Sequence, residues 1–380
     1  MLNILHIIPS LRKGGAERLV LNICNELQKK DNIRVKLVVL HPDNEYEFLS
    51  KDIDIEVCNS KVEPSVCGKS RVDILDFEKI FFDFKPHIIH SHLFEAEILS
   101  RWKLLSNVRY FTHCHDNMRQ LRAFNFKTIL SKKLFTNYYE KQIMIKRYIA
   151  CNNNFIAISK DVENYFVQVL PGQLKKNVVL LNNAIDYDRF KFSKAVLFHG
   201  TNAINLISIG SLSELKNHLF LVEVMNIFNK RGIRTFNLTI IGEGMLRSEI
   251  ENKIFDYNLE NMVSLIGLTD KVEELLKKAD IYVYSCIKEG FGLTLLEAMA
   301  SGLPVVCLDG GGNRDIMEDG KNGYIIHEQN PELFADKIME LTTNKQLYSE
   351  ISQYAREFAQ KYDINGYIDN LVKIYNTKLN

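Results

Sequence analysis

At 380 residues, with 46% hydrophobic and 25% charged residues, the chain has the composition of a soluble globular protein long enough for two domains. Its net charge of +1 excludes a general affinity for nucleic acid or another polyanion. The seven cysteines (24, 58, 67, 114, 151, 286, 307) form no C-x-x-C pair, which argues against a metal ribbon or a disulfide scaffold and for reduced thiols.

The opening "MLNILHIIPS" lacks a basic start and a cleavage site, so it is expected to be a first strand rather than a signal peptide. Further strands are predicted at 34–40, 87–92, 109–113, 155–159 and 178–183, with helical periodicity in "AERLVLNICNELQKK" and most other gaps. The stretch 186–203 has no clear period. A second series follows at 205–210, 237–242, 263–267, 281–285, 304–308 and 323–326. Alternation of this kind predicts parallel sheets covered by helices on both faces. The expected division is a domain over 1–190, a linker over 191–203, a domain over 204–362 and a terminal helix over 363–380. Ile364, Tyr367, Ile368, Leu371, Val372 and Tyr375 give that helix an apolar stripe, expected to return to the first domain. Open parallel sheets bind ligands beyond the carboxyl ends of their strands, so the loops there carry the search for function.

After the first strand, Gly14 and Gly15 open a helix, the arrangement of a phosphate-approaching turn. The pattern is not G-x-G-x-x-G, and the second strand ends in "VVLHPDN" with only Asp43, so a nicotinamide site is not supported. His90 and His92 end the third strand, and His113, His115 and Asp116 end the fourth. They suit hydrogen bonding to a polar ligand, and no recognisable metal-ligand spacing is completed. In the second half, "SIGSLSELKNH" sets Ser211 and Lys216 after a strand, and "GEG" and "DGGGN" add glycine turns on the same edge. "EGFGLTLLEAMASGLPVV" (289–306) places glutamates on both sides of a glycine turn feeding a helix. Thr294 with Glu297 fits a capping box; Glu289 and the glycines do not need one, and a functional reading of both carboxylates stands beside the structural one.

The ordered set "GGAER", "HD", "NAID", "GSLSELKNH", "GEG", "EGFGLTLLEAMASGLPVV" and "GGGNRDIMEDGKNG" resembles the retaining glycosyltransferases of family four, from residue 3 to about 375. That resemblance implies the GT-B fold, two facing Rossmann-like domains, and transfer from a nucleotide sugar with no other cofactor and no metal. It implies Glu289 at the donor sugar, Glu297 at the ribose hydroxyls, and the amides of Phe291, Gly292 and Leu293 at sugar and diphosphate. It further implies Lys216 on the diphosphate, Gly15 at donor or acceptor, and His115 near the sugar hydroxyls or the reaction centre. Two departures stand out: Ser211 occupies a place where the family often has arginine, which leaves it a weak phosphate contact, and Asp315 one where a longer acid is common. The opening motifs look most like bacterial enzymes of capsule, O-antigen or lipid-linked oligosaccharide assembly. They imply a UDP-hexose or UDP-N-acetylhexosamine donor, with GDP-mannose as the alternative, and a saccharide or lipid-linked saccharide acceptor. A nucleotide-sugar epimerase or hydrolase, and an inactive binding protein, are the rival classes. Finally, 119–150 interleaves Arg119, Arg122, Lys127, Lys132, Lys133, Lys141, Lys146 and Arg147 with Phe124, Phe126, Leu130, Leu134, Phe135, Tyr138 and Tyr139. This mixture suits an anionic lipid surface and a cytoplasmic protein peripheral to the inner face of the membrane.

Overall fold

The computed structural model describes residues 1–65, 69–122, 132–192 and 203–377. Most of the expected linker, Cys67, and the part of the basic segment that includes Phe124, Phe126, Lys127 and Leu130 lie outside the described residues, as do the side chains of Lys132 and Lys133. The chain forms two compact units, residues 1–183 with 364–380, and residues 184–363.

The first unit is built on seven parallel strands. In chain order these are β1 Leu2–Ile8, β2 Ile33–Val39, β3 Ile55–Val57, β6 Ile88–His92, β7 Arg109–Cys114, β8 Asn154–Ala157 and β9 Val178–Leu180; the pair β4 Lys61–Glu63 and β5 Arg71–Asp73 forms a separate antiparallel ribbon. The sheet order is β3-β2-β1-β6-β7-β8-β9. β1, "LNILHII", pairs along one edge with β2 and along the other with β6, so it is a central strand. Helices also pack on it and Ile4, Leu5, Ile7 and Ile8 are fully buried, which is why its sequence is a continuous apolar run rather than an alternation. β3 to β5 escape the sequence reading because three residues carry too little period to register.

The helix Gly15–Leu27 buries Leu19, Val20, Ile23 and Leu27 and packs against the last helix, Ile364–Thr377. That helix buries Ile364, Tyr367, Ile368, Leu371 and Tyr375, the stripe read in the sequence, whereas Val372 is only half-buried. Its return to the first unit is fixed at two points. Lys30 meets Asp369 at 2.6 Å, and the Tyr375 hydroxyl meets His90 Nδ1 at 2.6 Å.

The second unit has six parallel strands, β10 Ile204–Ile209, β11 Phe236–Ile241, β12 Val263–Leu265, β13 Ile281–Tyr284, β14 Val305–Leu308 and β15 Gly323–Ile326, in the order β12-β11-β10-β13-β14-β15. The order reverses between β10 and β13, where an open α/β sheet offers a crevice at the strands' carboxyl ends. Phe228 stacks on Phe236 with centroids 4.2 Å apart in a core shared by Leu206, Leu238, Ile240, Val283 and Val306. Residues 187–190, within the stretch of no clear period, form one helical turn capped by Asp186. Among the described residues no helix is long and apolar enough to cross a membrane.

Beneath the first sheet lies a polar knot. Arg101 and Glu97 are fully buried, 3.4 Å apart. Arg101 also donates to Ser91, Ser100, Thr112, Asn153 and the Phe111 carbonyl, and Glu97 accepts from Ser91, Thr112 and Tyr148. Burial pushes the Glu97 carboxyl above its ordinary range, against the pull of Arg101 and its hydroxyl donors. An isolated buried charge is far more costly than a complete network. Arg101→Met is therefore expected to lower unfolding free energy by about 3–5 kcal/mol, and Glu97→Leu combined with it to restore a large part. Urea unfolding of both variants checks this; a single variant as stable as the parent would refute the knot's role.

Candidate active site

In the second unit the glycine turns grip one another. The Glu289 amide donates to the Gly310 carbonyl at 2.7 Å, and the Gly312 amide to the Glu289 carbonyl at 3.1 Å. A Cβ on Gly312 would lie 2.2 Å from the Gly290 oxygen, so only glycine admits this approach. Gly242 meets the turn after β10 in the same way, with a Cβ placed 2.0 Å from the Gly210 oxygen. Asn313, fully buried, ties off the glycine run by accepting from the Gly310 amide and donating to the Leu308 carbonyl. The loops after β10, β11, β13 and β14 thus form a rigid rim on one sheet edge.

On that rim Lys216 and Glu289 come together. The Lys216 ammonium donates to Glu289 Oε2 at 2.7 Å and to the Tyr284 hydroxyl at 2.7 Å, and the Tyr284 hydroxyl itself donates to Glu289. Glu289 Oε1 accepts from the Gly290 amide at 2.9 Å and the Phe291 amide at 3.4 Å. Burial by itself would raise the carboxyl, but the Lys216 charge and these donors hold it below its ordinary value. Burial likewise opposes the Lys216 ammonium, and the Glu289 charge outweighs it, so its pKa is raised. Tyr284, driven up first by burial and then by Glu289, stays protonated. The triangle is held charged and oriented across the neutral range, with 27% of the Lys216 side chain and 14% of Glu289 left accessible.

The other expected residues of this unit cluster along the same stretch. The helix Leu293–Ala300 begins after Gly292, whose φ of 102° lies in the left-handed region, with no side-chain cap. The capping-box reading of Thr294 and Glu297 is therefore incorrect: Thr294 sits inside the helix, two residues past the capping position that Gly292 occupies. Glu297 is instead a buried carboxylate, 1% exposed, in the body of that helix. Phe291 is buried against Tyr362, with centroids 5.9 Å apart, and Leu293 is the first helical residue. Ser211 is exposed, its hydroxyl 3.2 Å from that of Ser213. The Asp315 carbonyl accepts from the Tyr362 hydroxyl.

In the first unit, Gly15 is exposed at the start of its helix; the turn before it is clamped by the Tyr46 hydroxyl, which both donates to and accepts from Gly14. Arg12 is engaged with Asp43 at 2.8 Å. His115 ends a row of histidines. His6 Nδ1 lies 3.0 Å from His92 Nε2, and His92 Nδ1 lies 3.0 Å from His115 Nε2; alongside, His90 Nε2 is 3.2 Å from His113 Nδ1. Two trios, His6–His90–His92 and His92–His113–His115, bring ring nitrogens within 4.8 Å of one another. His92 and His113 stack with planes 24° apart and His113 and His115 with planes 22° apart, while His92 and His115 are tilted by 38°. One pair of nitrogens in each trio is engaged at hydrogen-bond distance, His6 with His92 and His92 with His115. Burial lowers every one of these imidazoles, His6 to about 3 and His113 to about 4, with His90, His92 and His115 also well below their ordinary value.

Sequence reading missed Tyr284, which looks like any aromatic in a buried strand, although alternate tyrosines in "IYVY" put Tyr282 and Tyr284 on one face. It also missed His6; a histidine inside an otherwise apolar strand was the available signal.

Two doubly wound parallel-sheet units, one with a charged and amide-rich rim, define the architecture of GT-B proteins. A family model described as "Glycosyltransferase Family 4" matches residues 13–189, and one described as "Glycosyl transferases group 1" matches residues 189–358. The two meet end to end, and the chain belongs to the family-four, group 1 glycosyltransferases. It is 33% identical over 177 residues, 46% of its length, to a poly(glycerol-phosphate) alpha-glucosyltransferase of Bacillus subtilis, of which this match spans only 26%. It is 24% identical over 370 residues, 94% of both chains, to a Campylobacter jejuni N-acetylgalactosamine-N,N'-diacetylbacillosaminyl-diphospho-undecaprenol 4-alpha-N-acetylgalactosaminyltransferase. Its fold matches that of Anabaena HepE, solved in complex with UDP-glucose, at a TM-score of 0.80 and 18% identity, over 99% of this chain and all of the other.

The imidazole row makes stability acid-sensitive. Folded pKa values lie below the unfolded value of about 6.5, so the unfolded chain binds more protons as pH falls below that point. Each such ring then removes roughly 1.4 kcal/mol per pH unit until the folded ring protonates as well. Chemical unfolding measured from pH 7.5 to 5 should show stability falling below about pH 6.5, and a flat profile would contradict a neutral row.

Proposed function

We propose that the protein is a retaining glycosyltransferase that moves a hexosyl or N-acetylhexosaminyl group from a UDP-sugar to a saccharide or lipid-linked saccharide acceptor. The observation that carries this reading is the Lys216–Tyr284–Glu289 triangle on a rigid glycine rim beside a helix start. As the bond from the anomeric carbon to the diphosphate breaks, charge grows on the departing oxygen. A preoriented ammonium, the loop amides of Phe291, Gly292 and Leu293, and the positive helix end stabilise it. The acceptor oxygen attacks from the same face, and its proton passes to the departing diphosphate oxygen; no carboxylate acts as nucleophile. Glu289, held ionised, hydrogen-bonds the donor sugar and steadies charge at its anomeric carbon. Glu297, shielded from water, takes the ribose hydroxyls. Ser211 adds at most a weak phosphate contact, and Gly15 and His115 contact donor or acceptor from the first unit.

UDP is preferred over GDP because HepE was solved with UDP-glucose, and the Campylobacter relative's name supports a diphospho-polyprenol acceptor. With UDP-sugars and a lipid-linked acceptor supplied, Glu289→Gln should slow transfer roughly tenfold or more per folded molecule, the scale of one charge-assisted hydrogen bond of about 1.5–3 kcal/mol. The product should keep the donor's anomeric configuration, and excess chelator should leave the rate unchanged. Hydrolysis without transfer, an inverted product by NMR, or a rate restored only by metal would refute the reading.

A membrane-bound acceptor suits peripheral attachment at the inner face of the cell membrane. The helix Lys132–Ala150 buries Met144 and Tyr148 but exposes Phe135 and Ile149, and carries Lys146 and Arg147. Lys141 is tied to the Leu121 and Arg122 carbonyls at 2.9 and 3.2 Å, so it orders the segment rather than reaching outward. A basic residue near an anionic surface adds about 1 kcal/mol, enough for salt-sensitive binding by a few. Flotation should recover the protein on anionic but not neutral vesicles at low salt; equal recovery on both would leave this surface without a lipid role.

A further inference from the structure

The rings of His6, His92 and His115 form one hydrogen-bonded chain that runs from the buried β1 to the end of β7. His6 and His92 are fully buried, and His115 is half-buried where the strand gives way to its loop. Three neutral imidazoles carry three N–H groups, and two ring–ring hydrogen bonds use two of them. Only two consistent arrangements exist. In one, His115 Nε2–H donates to His92 and His92 Nε2–H donates to His6, which strands an N–H on His6 Nε2. In the other, His6 Nδ1–H donates to His92 Nε2, His92 Nδ1–H donates to His115 Nε2, and the spare N–H is His115 Nδ1–H.

The two differ in what they bury. His6 Nε2 is buried and has no hydrogen-bond partner among the described residues. An N–H there would be an orphaned buried donor, which proteins almost never keep; a bare ring lone pair there is tolerated more readily. The second arrangement therefore prevails. The parallel chain, Tyr375 hydroxyl to His90 to His113, packs beside it, with the His113 ring 4.5 Å from that of His115 and 5.0 Å from that of His92. His115 is thus fixed by a ring contact on one side and by His92 at its edge.

We propose that His6 and His92 are positioning residues that lock His115 into the Nδ1–H tautomer, making it a hydrogen-bond donor to a ligand oxygen and not a general base. The tautomer follows from the row alone. Its use in transfer rests on the function proposed above, with His115 contacting a sugar hydroxyl or the reacting oxygens.

Nitrogen-15 spectroscopy of histidine-labelled full-length protein at pH 7.5 reads the tautomer without any substrate. The His115 signals, assigned by their loss in His115→Gln, should show a protonated Nδ1 and a bare Nε2. Finding the proton on Nε2 overturns the proposal. Two replacements of His92 then separate positioning from packing. In His92→Asn the side-chain amide nitrogen occupies the place of ring Nδ1 and can still donate to His115; in His92→Leu it cannot. His92→Asn should keep the Nδ1–H signature and transfer within about twofold of the parent. His92→Leu should lose the signature and slow kcat by about tenfold, the scale of one lost hydrogen bond. Equal losses in both, with the His115 spectrum unchanged in both, would overturn it. If no donor supports transfer in the parent protein, the functional reading fails, while the tautomer spectra still decide this inference.

Discussion

Lys216 and Glu289 are charged groups largely withdrawn from water, and each is stabilised there by the other at 2.7 Å and by the Tyr284 hydroxyl between them. That pairing organises the second unit's rim. The lysine comes from the turn after β10 and the glutamate from the loop after β13, so the two loops must be held at a fixed separation. The Ser285 hydroxyl donating to the Lys216 carbonyl, and the Ile287 amide to the Leu215 carbonyl, stitch them directly. The glycine run after β14 clamps Glu289 from beyond, at a distance no side chain would permit. A rim built this way is fixed before any ligand binds, and the function proposed above would draw on that preorganisation.

The first unit meets the same problem, polar groups at the carboxyl edge of a buried parallel sheet, with different chemistry. On one face it buries a full ion pair, Arg101 with Glu97, surrounded by hydroxyl and amide partners until nearly every lone pair is used. On the other it buries imidazoles, which satisfy one another in pairs and stay neutral. Alternation along β6 separates the two: Ser91 points to the ion pair, His90 and His92 to the imidazole row. The returning helix completes the second face through Tyr375, so the terminal segment is part of what keeps the row in order.

Much of this was legible in the chain. The central strands announce themselves because a strand covered on both faces is a plain apolar run, as in "NILHII" and "IYVY". The glycine turns on the second sheet's edge, Lys216 and Glu289 were all visible as residue types, and their ordered spacing pointed to the family. What sequence could not give was pairing. Nothing in "ADIYVYSC" says that Tyr284 completes a triangle with a lysine 68 positions earlier. Thr294 and Glu297 match a capping pattern that fails because Gly292, in a left-handed conformation, already starts the helix. His6 and His92 lie on two strands and His115 just past the end of a third, so they meet only through the sheet's register, and Arg101 finds its partners on several separate elements. The short strands between 55 and 73 were too brief for periodicity to detect.

The central claim is that the second unit holds a nucleoside diphosphate with the Lys216 ammonium on its phosphates, while Glu289 serves the sugar. Calorimetric titration of UDP, which lacks the sugar, into the parent protein, Lys216→Met and Glu289→Gln divides these roles. The account predicts binding to the parent, a loss of about tenfold or more in Lys216→Met on the scale of one charge-assisted hydrogen bond, and affinity within about threefold of the parent in Glu289→Gln. No UDP binding to the parent, or an unchanged affinity in Lys216→Met, would contradict it.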